Sequence, residues 1–158
     1  MTITNRSVGS WSEPLSKLLA RLSDPLKSGV YRVAHDQDVR DALKSGEFDV
    51  AAVMLPSGKA EMLAAISAAL AFPEWFGGNW DALEDCLADL SWRKGAGHVI
   101  LISNAKRGDE YGILCDILAL VAEHWRGRGQ PFFAVFIDPE RKLALPGLYK
   151  ETAPGAAN

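Results

Sequence analysis

The sequence predicts an α/β fold built on a mainly parallel sheet. Short apolar, β-branched runs alternate with segments that repeat apolar residues at helical spacing, and strands separated by helices pair in parallel through right-handed crossovers. The run GHVILIS at 97–103 is almost continuously apolar, as expected of a strand that is covered on both faces. At 158 residues the chain is long enough for one domain with a sizeable core.

The predicted elements are bounded by glycine, proline and polar turns. Near the N-terminus, leucines at helical spacing predict an amphipathic turn or two that ends near Leu22. A helix over 38–46 is closed by glycine, and a strand over 49–55 is stopped by the turn PSGK. The other predictions, in chain order, are a strand over 29–33, a helix over 59–70, a helix from 79 to about 91, a strand over 97–103, a helix over 109–129 and a strand over 131–138.

Composition argues against several classes of function. The net charge is −3 with no basic excess, which argues against nucleic acid as a direct partner. No apolar run approaches the roughly 18 residues that span a bilayer, and the N-terminus lacks the basic and apolar regions of a secretory signal. We therefore expect a cytoplasmic protein with no membrane partner. Cys86 and Cys115 lie among apolar neighbours in helical patterns, which predicts free thiols in a reducing compartment.

The stretch FPEWFGGNWDALEDCLADLSW, residues 72–92, carries five carboxylates and no Lys or Arg. Asn79 can cap the helix, and Gly77 and Gly78 supply the turn before it. At about 100° per residue the helix has two unlike faces. The apolar face collects Leu83, Cys86, Leu87 and Leu90. The opposite face collects Asp81, Asp85 and Asp89, here called the acidic ridge, flanked by Glu84 and Ala88.

The acidic ridge is locally unfavourable. Like charges at i, i+4 destabilise a helix by roughly 0.2–0.5 kcal/mol per pair, and Asp89 also opposes the helix dipole. Two interpretations remain open: a solvated helix face, or a surface that recognises a cationic partner. The aromatic residues of the same stretch favour recognition, because aromatic side chains beside exposed charge are typical of interfaces. Phe76 and Trp80 are expected in the core, whereas Trp75 fits either place.

At this stretch the chain resembles the barstar family of intracellular inhibitors of barnase-type ribonucleases. That family's recognition segment runs Pro-Glu-aromatic-aromatic-Gly-any-Asn-apolar-Asp-Ala-Leu-any-Asp-Cys-Leu, and PEWFGGNWDALEDCL at 73–87 matches every defined position. The resemblance covers about residues 47–138 and implies a barstar-like domain with a small three-stranded parallel sheet packed by helices. Residues 1–46 are then an N-terminal extension with an added strand and helices, and residues 139–158 a tail that is partly disordered.

The resemblance also implies a function, which is inhibition of a basic, extracellular-type ribonuclease or a related toxin by blocking its active site. Asp81 and Asp85 would meet the groups that hold RNA phosphate, and Trp75 would stack on a catalytic histidine. The elbow residues Gly77 and Asn79 would add backbone contacts, and Glu123 is the best match to a glutamate of the long helix. Glu84 and Asp89 differ from the residues of the family's founding member and make the surface more acidic.

The alternative is a non-inhibitory interaction module that uses the acidic ridge against another basic protein or toxin. An enzyme is not expected, because the histidines are scattered and no nucleophile, zinc or phosphate-binding motif is present. Neither a cofactor nor a metal site is expected, since the carboxylates lack a converging further ligand. The sequence makes no prediction of the oligomeric state.

Overall fold

The computed structural model describes residues 13–44 and 46–150. Residues 13–22 are helical and are called α1, followed by a 3-10 turn at Pro25–Lys27. The strands are β1 Gly29–Val33, β2 Asp49–Met54, β3 His98–Ser103 and β4 Phe132–Ile137. The other helices are α2 Gln37–Leu43, α3 Lys59–Leu70, α4 Trp80–Asp89 and α5 Asp109–Gly127. Every strand and helix predicted between residues 29 and 138 is present, with ends that differ by up to three residues.

The sheet has four strands in the order β1-β4-β3-β2, and all three pairings are parallel. The α/β class and the parallel sheet are therefore confirmed, but the expected count of three strands is wrong. The β-branched run at 29–33 does not stand apart from the sheet: Gly29 pairs with Phe133 and Val33 with Ile137. Because β4 would otherwise expose a long apolar edge, pairing with β1 satisfies its outward backbone groups.

Helices cover both faces of the sheet. On one face α3, α4 and α5 pack over Ile100 and Ile102 of β3, and on the other α1 and α2 pack over Val99 and Leu101. Neighbouring residues of β3 thus enter opposite cores, as the period of two in a strand requires. This two-sided burial explains why 97–103 is almost continuously apolar.

The segment after β4 also packs on the body of the protein. Leu143 is buried in the core beneath α3, α4 and α5, and Leu148 in the core beneath α1 and α2. The backbone of Arg32 bonds to Pro146 and Leu148, which places this segment beside β1. Residues 1–12 of the predicted N-terminal extension at 1–46 and residues 151–158 of the predicted tail at 139–158 lie outside the described residues.

Within residues 13–44 and 46–150, no helix is both long and apolar enough to cross a membrane.

Candidate functional site

The acidic helix α4 is preceded by a tight elbow. Helix α3 ends in a left-handed residue, Ala71 at φ 52°, and the Phe76 N–H donates to the Pro73 carbonyl at 3.0 Å, closing a turn that carries Trp75. Gly78 has φ 71°, a conformation that costs glycine little. A Cβ at Gly77 would meet Asn79 and Ala82 at 3.5 and 3.6 Å, ordinary contact distances. The conformational need for glycine in the elbow is therefore at Gly78.

Both ends of α4 are held by local hydrogen bonds. The Ala82 N–H donates to the Asn79 side-chain oxygen at 2.7 Å, so Asn79 is the N-cap that the sequence predicts. At the other end Leu90 adopts φ 46°, and its N–H donates to the Cys86 carbonyl at 3.0 Å. These two caps set the ends of a ten-residue helix.

The apolar face of α4 is buried and the acidic ridge is exposed. Leu83, Cys86 and Leu87 have no solvent-accessible surface. Trp125 of α5 donates its indole N–H to the Leu87 carbonyl at 2.8 Å, which ties α4 to α5. Asp81, Asp85 and Asp89 are all exposed, and Glu84 and Ala88 beside them are half-buried. The predicted separation of the two faces is present in the structure.

Arg93, the first basic residue after α4, is engaged away from the acidic ridge. It donates its Nε–H to both carboxylate oxygens of Asp49 at 2.8 and 2.9 Å. Lys94, which follows it, is exposed. Among the residues that the structure describes, no Lys, Arg or His nitrogen comes within 4.0 Å of a ridge carboxylate. The ridge charges are therefore not neutralised by the described part of the chain.

Two aromatic residues form a supported surface next to the elbow. Trp75 is 59% exposed, and its ring meets Trp92 edge-on with centroids 6.2 Å apart. Trp92 is itself held by an indole N–H bond to the Leu70 carbonyl at 2.9 Å. Phe76 and Trp80 are half-buried and pack against the core, as expected from the sequence. Of the elbow aromatics, Trp75 is the one that presents a large ring to solvent.

Glu123, the remaining predicted site residue, lies on α5 and not on α4. Its side chain is 73% exposed and pairs with Arg126 at 3.9 Å, a length typical of a weak surface contact. The Arg126 guanidinium also donates to the Ser28 carbonyl at 2.9 Å. Glu123 therefore lies on α5, the helix that packs against α4, and α4 carries the acidic ridge.

The histidines and cysteines do not assemble a reactive centre. His35 and His124 are exposed and His98 is buried, with its Nδ1 2.8 Å from Asp49 Oδ2. Burial, with Asp85 and Asp89 nearby, raises the pKa of the Cys86 thiol, which disfavours the thiolate. Cys115 is also an unbridged thiol and is half-buried. Three or more metal-ligating side chains do not converge anywhere in the described ranges.

Sequence reasoning missed the contact that holds Arg93 away from the ridge. Asp49 begins β2, His98 begins β3 and Arg93 follows α4. In the sequence Asp49 is 44 positions from Arg93 and 49 positions from His98. They meet because parallel strands place their N-terminal ends at one edge of the sheet. The only signal in the sequence is a lone Asp at the start of an apolar strand. An isolated Asp does not indicate which residues it will contact in the folded protein.

The chain matches the family model described as Barstar (barnase inhibitor) over residues 49–137, which is more than half of its length. The match spans the elbow, α4, α5 and three of the four strands. A search of curated proteins finds no match. On the strength of the family match, together with the elbow and capped acidic helix at its centre, the chain belongs to the barstar family.

Proposed function

We propose that this protein inhibits a basic, barnase-type ribonuclease by placing the acidic ridge where the enzyme holds RNA phosphates. The observation that carries the proposal is that Asp81, Asp85 and Asp89 are exposed in one row with no ion-pair partner among the described residues. Membership of the barstar family supports an inhibitor in preference to an enzyme. In this proposal residues 47–138 form the inhibitory domain, and the protein acts in the cytoplasm.

The physical basis is charge complementarity at a site that loses its water on binding. A ribonuclease cleft lined with Arg and Lys focuses a positive field that attracts the ridge, an effect for which the barnase–barstar pair is the reference example. Carboxylates such as Asp81 and Asp85 can accept two parallel hydrogen bonds from an arginine, and these charge-assisted bonds strengthen as water leaves. Repulsion within the ridge is then relieved by the partner.

Trp75 supplies the apolar part of the proposed contact. It is a rigid aromatic ring, largely exposed and backed by Trp92, so it can stack on a flat group of the enzyme such as a histidine ring with little loss of side-chain entropy. Gly77 and Asn79 add elbow backbone contacts, and Glu123 adds a carboxylate from α5. Glu84 and Asp89 extend the acidic surface along α4, which calls for a strongly basic partner.

The test is the affinity of Asp85→Ala for a barnase-type ribonuclease, measured by inhibition of RNA cleavage. The wild-type chain should suppress the enzyme near a one-to-one ratio. Asp85→Ala should bind more weakly by at least about 2 kcal/mol, because a central charged residue of an interface behaves as a hot spot.

The matched control is Glu110→Ala, which removes one exposed carboxylate from α5, away from the ridge. This variant should inhibit like the wild type. Equal loss in both variants would show that net charge alone is being measured. Unchanged inhibition by Asp85→Ala would remove that residue from the centre of the interface.

The second candidate function is a non-inhibitory module that binds another basic protein or toxin through the same ridge. The observation that favours it is that Glu84 and Asp89 stand where the family's founding member carries a tryptophan and a glycine. Under this alternative the wild-type chain would leave ribonuclease activity intact at molar excess, yet would bind a basic partner in a manner that Asp85→Ala weakens.

A further inference from the structure

The exposed ring of Trp75 rests on Trp92. The side chain of Trp75 is 59% exposed. Within residues 13–44 and 46–150 its indole N–H has no hydrogen-bond partner, and Trp92 is the one aromatic ring that pairs with it, edge-on with the centroids 6.2 Å apart. That separation lies within the range in which edge-to-face rings attract each other. Trp92 is therefore the described residue best placed to fix the direction of the Trp75 ring.

Trp92 is itself anchored at two points. It lies in a turn after α4 that is closed by the Arg93 N–H, which donates to the Leu90 carbonyl at 3.0 Å. The indole N–H of Trp92 donates to the Leu70 carbonyl at the end of α3 at 2.9 Å. The next residue, Arg93, is bonded to Asp49 at the start of β2 at 2.8 and 2.9 Å. The end of α3 and the start of β2 thus hold the support of the exposed ring.

Further ring contacts join Trp92 to the elbow. Phe72 meets Trp92 edge-on with the centroids 5.9 Å apart, and Phe72 in turn meets Phe76 edge-on at 4.9 Å. Trp75 lies between these two phenylalanines in the sequence. A residue that follows α4 therefore packs against the elbow that precedes α4. This arrangement sets the position of the Trp75 ring relative to the acidic ridge.

We propose that Trp92 is a positioning residue of the inhibitory surface, which holds the Trp75 ring in the orientation that stacks on the ribonuclease. This inference rests on the proposed function. An exposed tryptophan without support can occupy about three χ1 and about two χ2 positions. If one of these orientations binds, the affinity falls by up to about sixfold, because only the competent fraction of molecules associates. A ring that is fixed before binding avoids that loss.

The first test is a double-mutant cycle on ribonuclease inhibition, with Trp92→Leu, Trp75→Ala and the double variant. Leucine keeps apolar bulk but lacks the indole N–H and the ring. In the wild-type background Trp92→Leu should weaken inhibition by about three- to sixfold. In the Trp75→Ala background it should have no further effect, because no ring is left to position. A loss of equal size in both backgrounds would show that Trp92 acts only on the fold, and would overturn the proposal.

The matched control is Tyr111→Leu. Tyr111 is a half-buried residue of α5 whose ring meets Phe136 edge-on at 5.6 Å, so this variant also replaces one partner of an edge-on pair by leucine. It should inhibit like the wild type. Inhibition that weakens as much in Tyr111→Leu as in Trp92→Leu would show a general effect of lost aromatic packing, which also overturns the proposal.

A second measurement needs no ribonuclease. The order parameter of the Trp75 indole N–H, obtained by ¹⁵N relaxation on the free full chain, reports ring motion on the picosecond to nanosecond timescale. It should lie near about 0.85, the value of a rigid backbone, in the wild type and in Tyr111→Leu, and below about 0.6 in Trp92→Leu. A Trp75 ring that stays equally ordered in Trp92→Leu overturns the proposal.

The two measurements separate this proposal from the proposed function. A wild-type chain that inhibits no barnase-type ribonuclease overturns the proposed function. The order parameter then decides alone whether Trp92 fixes the Trp75 ring. A wild-type chain that inhibits, together with a Trp92→Leu variant that inhibits equally well, leaves the proposed function standing and overturns the role of Trp92.

Discussion

Two groups of aspartates in this protein have opposite surroundings. Asp138 is buried and Asp49 is largely so, with side chains 7% and 9% exposed, and each is paired with an arginine. Asp81, Asp85 and Asp89 are exposed and have no ion-pair partner among the described residues. The chain therefore uses its nearest arginine, Arg93, to satisfy an internal acid and leaves the acidic ridge with its charge. This difference indicates that the buried acids serve the fold, and it is the basis of our proposal that the ridge binds a partner.

The buried acids are tied down by several bonds each. Asp138 accepts backbone N–H bonds from Lys142 and Leu143, both at 2.9 Å, and the Arg32 Nε–H at 3.3 Å. Burial alone would raise the pKa of Asp138, but these bonds and the Arg32 charge outweigh it and lower the pKa. The pKa of Asp49 is lowered for the same reasons. Burial alone would raise it, but the bonds from Arg93 and His98 outweigh that effect.

The largest expected effect on stability is that of Asp138→Ala. The change leaves the buried Arg32 guanidinium without its carboxylate partner and two backbone N–H groups without their acceptor. Removing one partner of a buried ion pair costs roughly 3–5 kcal/mol, so the free energy of unfolding in urea should fall by about that amount. Asp85→Ala is the matched control and should lose no stability, because it removes only two like-charge contacts that destabilise the helix by roughly 0.2–0.5 kcal/mol each. Equal losses in the two variants would contradict the distinction between buried and exposed acids.

The next effect is the dependence of stability on pH. Because the folded-state pKa values of Asp49 and Asp138 are lowered, the unfolded chain binds more protons than the folded chain once the pH nears the ordinary Asp value of about 3.9. Their contribution is complete above that value and is lost as the pH falls through the folded pKa values. Urea midpoints measured from neutral to acid pH should therefore drop more steeply for the wild type than for Asp49→Asn. Identical profiles would show that Asp49 adds nothing to acid stability.

The local parts of the structure could be predicted from sequence because short-range rules decide them. The cap at Asn79, the apolar face through Leu83 and Leu87, and the exposed ridge all follow from spacing along one helix. The parallel sheet follows likewise from the alternation of strands with helices. These features depend on neighbours within a few residues, and the sequence contains that information directly.

The remaining features depend on contacts between distant parts of the chain. The pairing of β1 with β4 joins residues about 104 positions apart, as in Gly29 with Phe133. The sequence GVYRV predicts a strand but does not indicate the strand with which it pairs. The burial of Leu143 and Leu148 could not be predicted from the sequence either. The apolar segment that contains them is short and interrupted by Pro146, so it shows neither a helical nor a strand periodicity. The bonds between Arg93 and Asp49 join residues 44 positions apart, which only the folded sheet brings together.

The smallest expected change in stability also tests the central claim most directly, and it is that of Asp85→Lys. A lysine at this position replaces two like-charge contacts, with Asp81 and Asp89, by two attractive ones, which should raise the free energy of unfolding by about 1 kcal/mol. The same variant should lose inhibition of a barnase-type ribonuclease, because it puts a positive charge into a basic cleft. The decisive measurement is urea unfolding and ribonuclease titration on this one variant. A stable chain that no longer inhibits is the predicted result, and a destabilised chain that still inhibits would contradict the account.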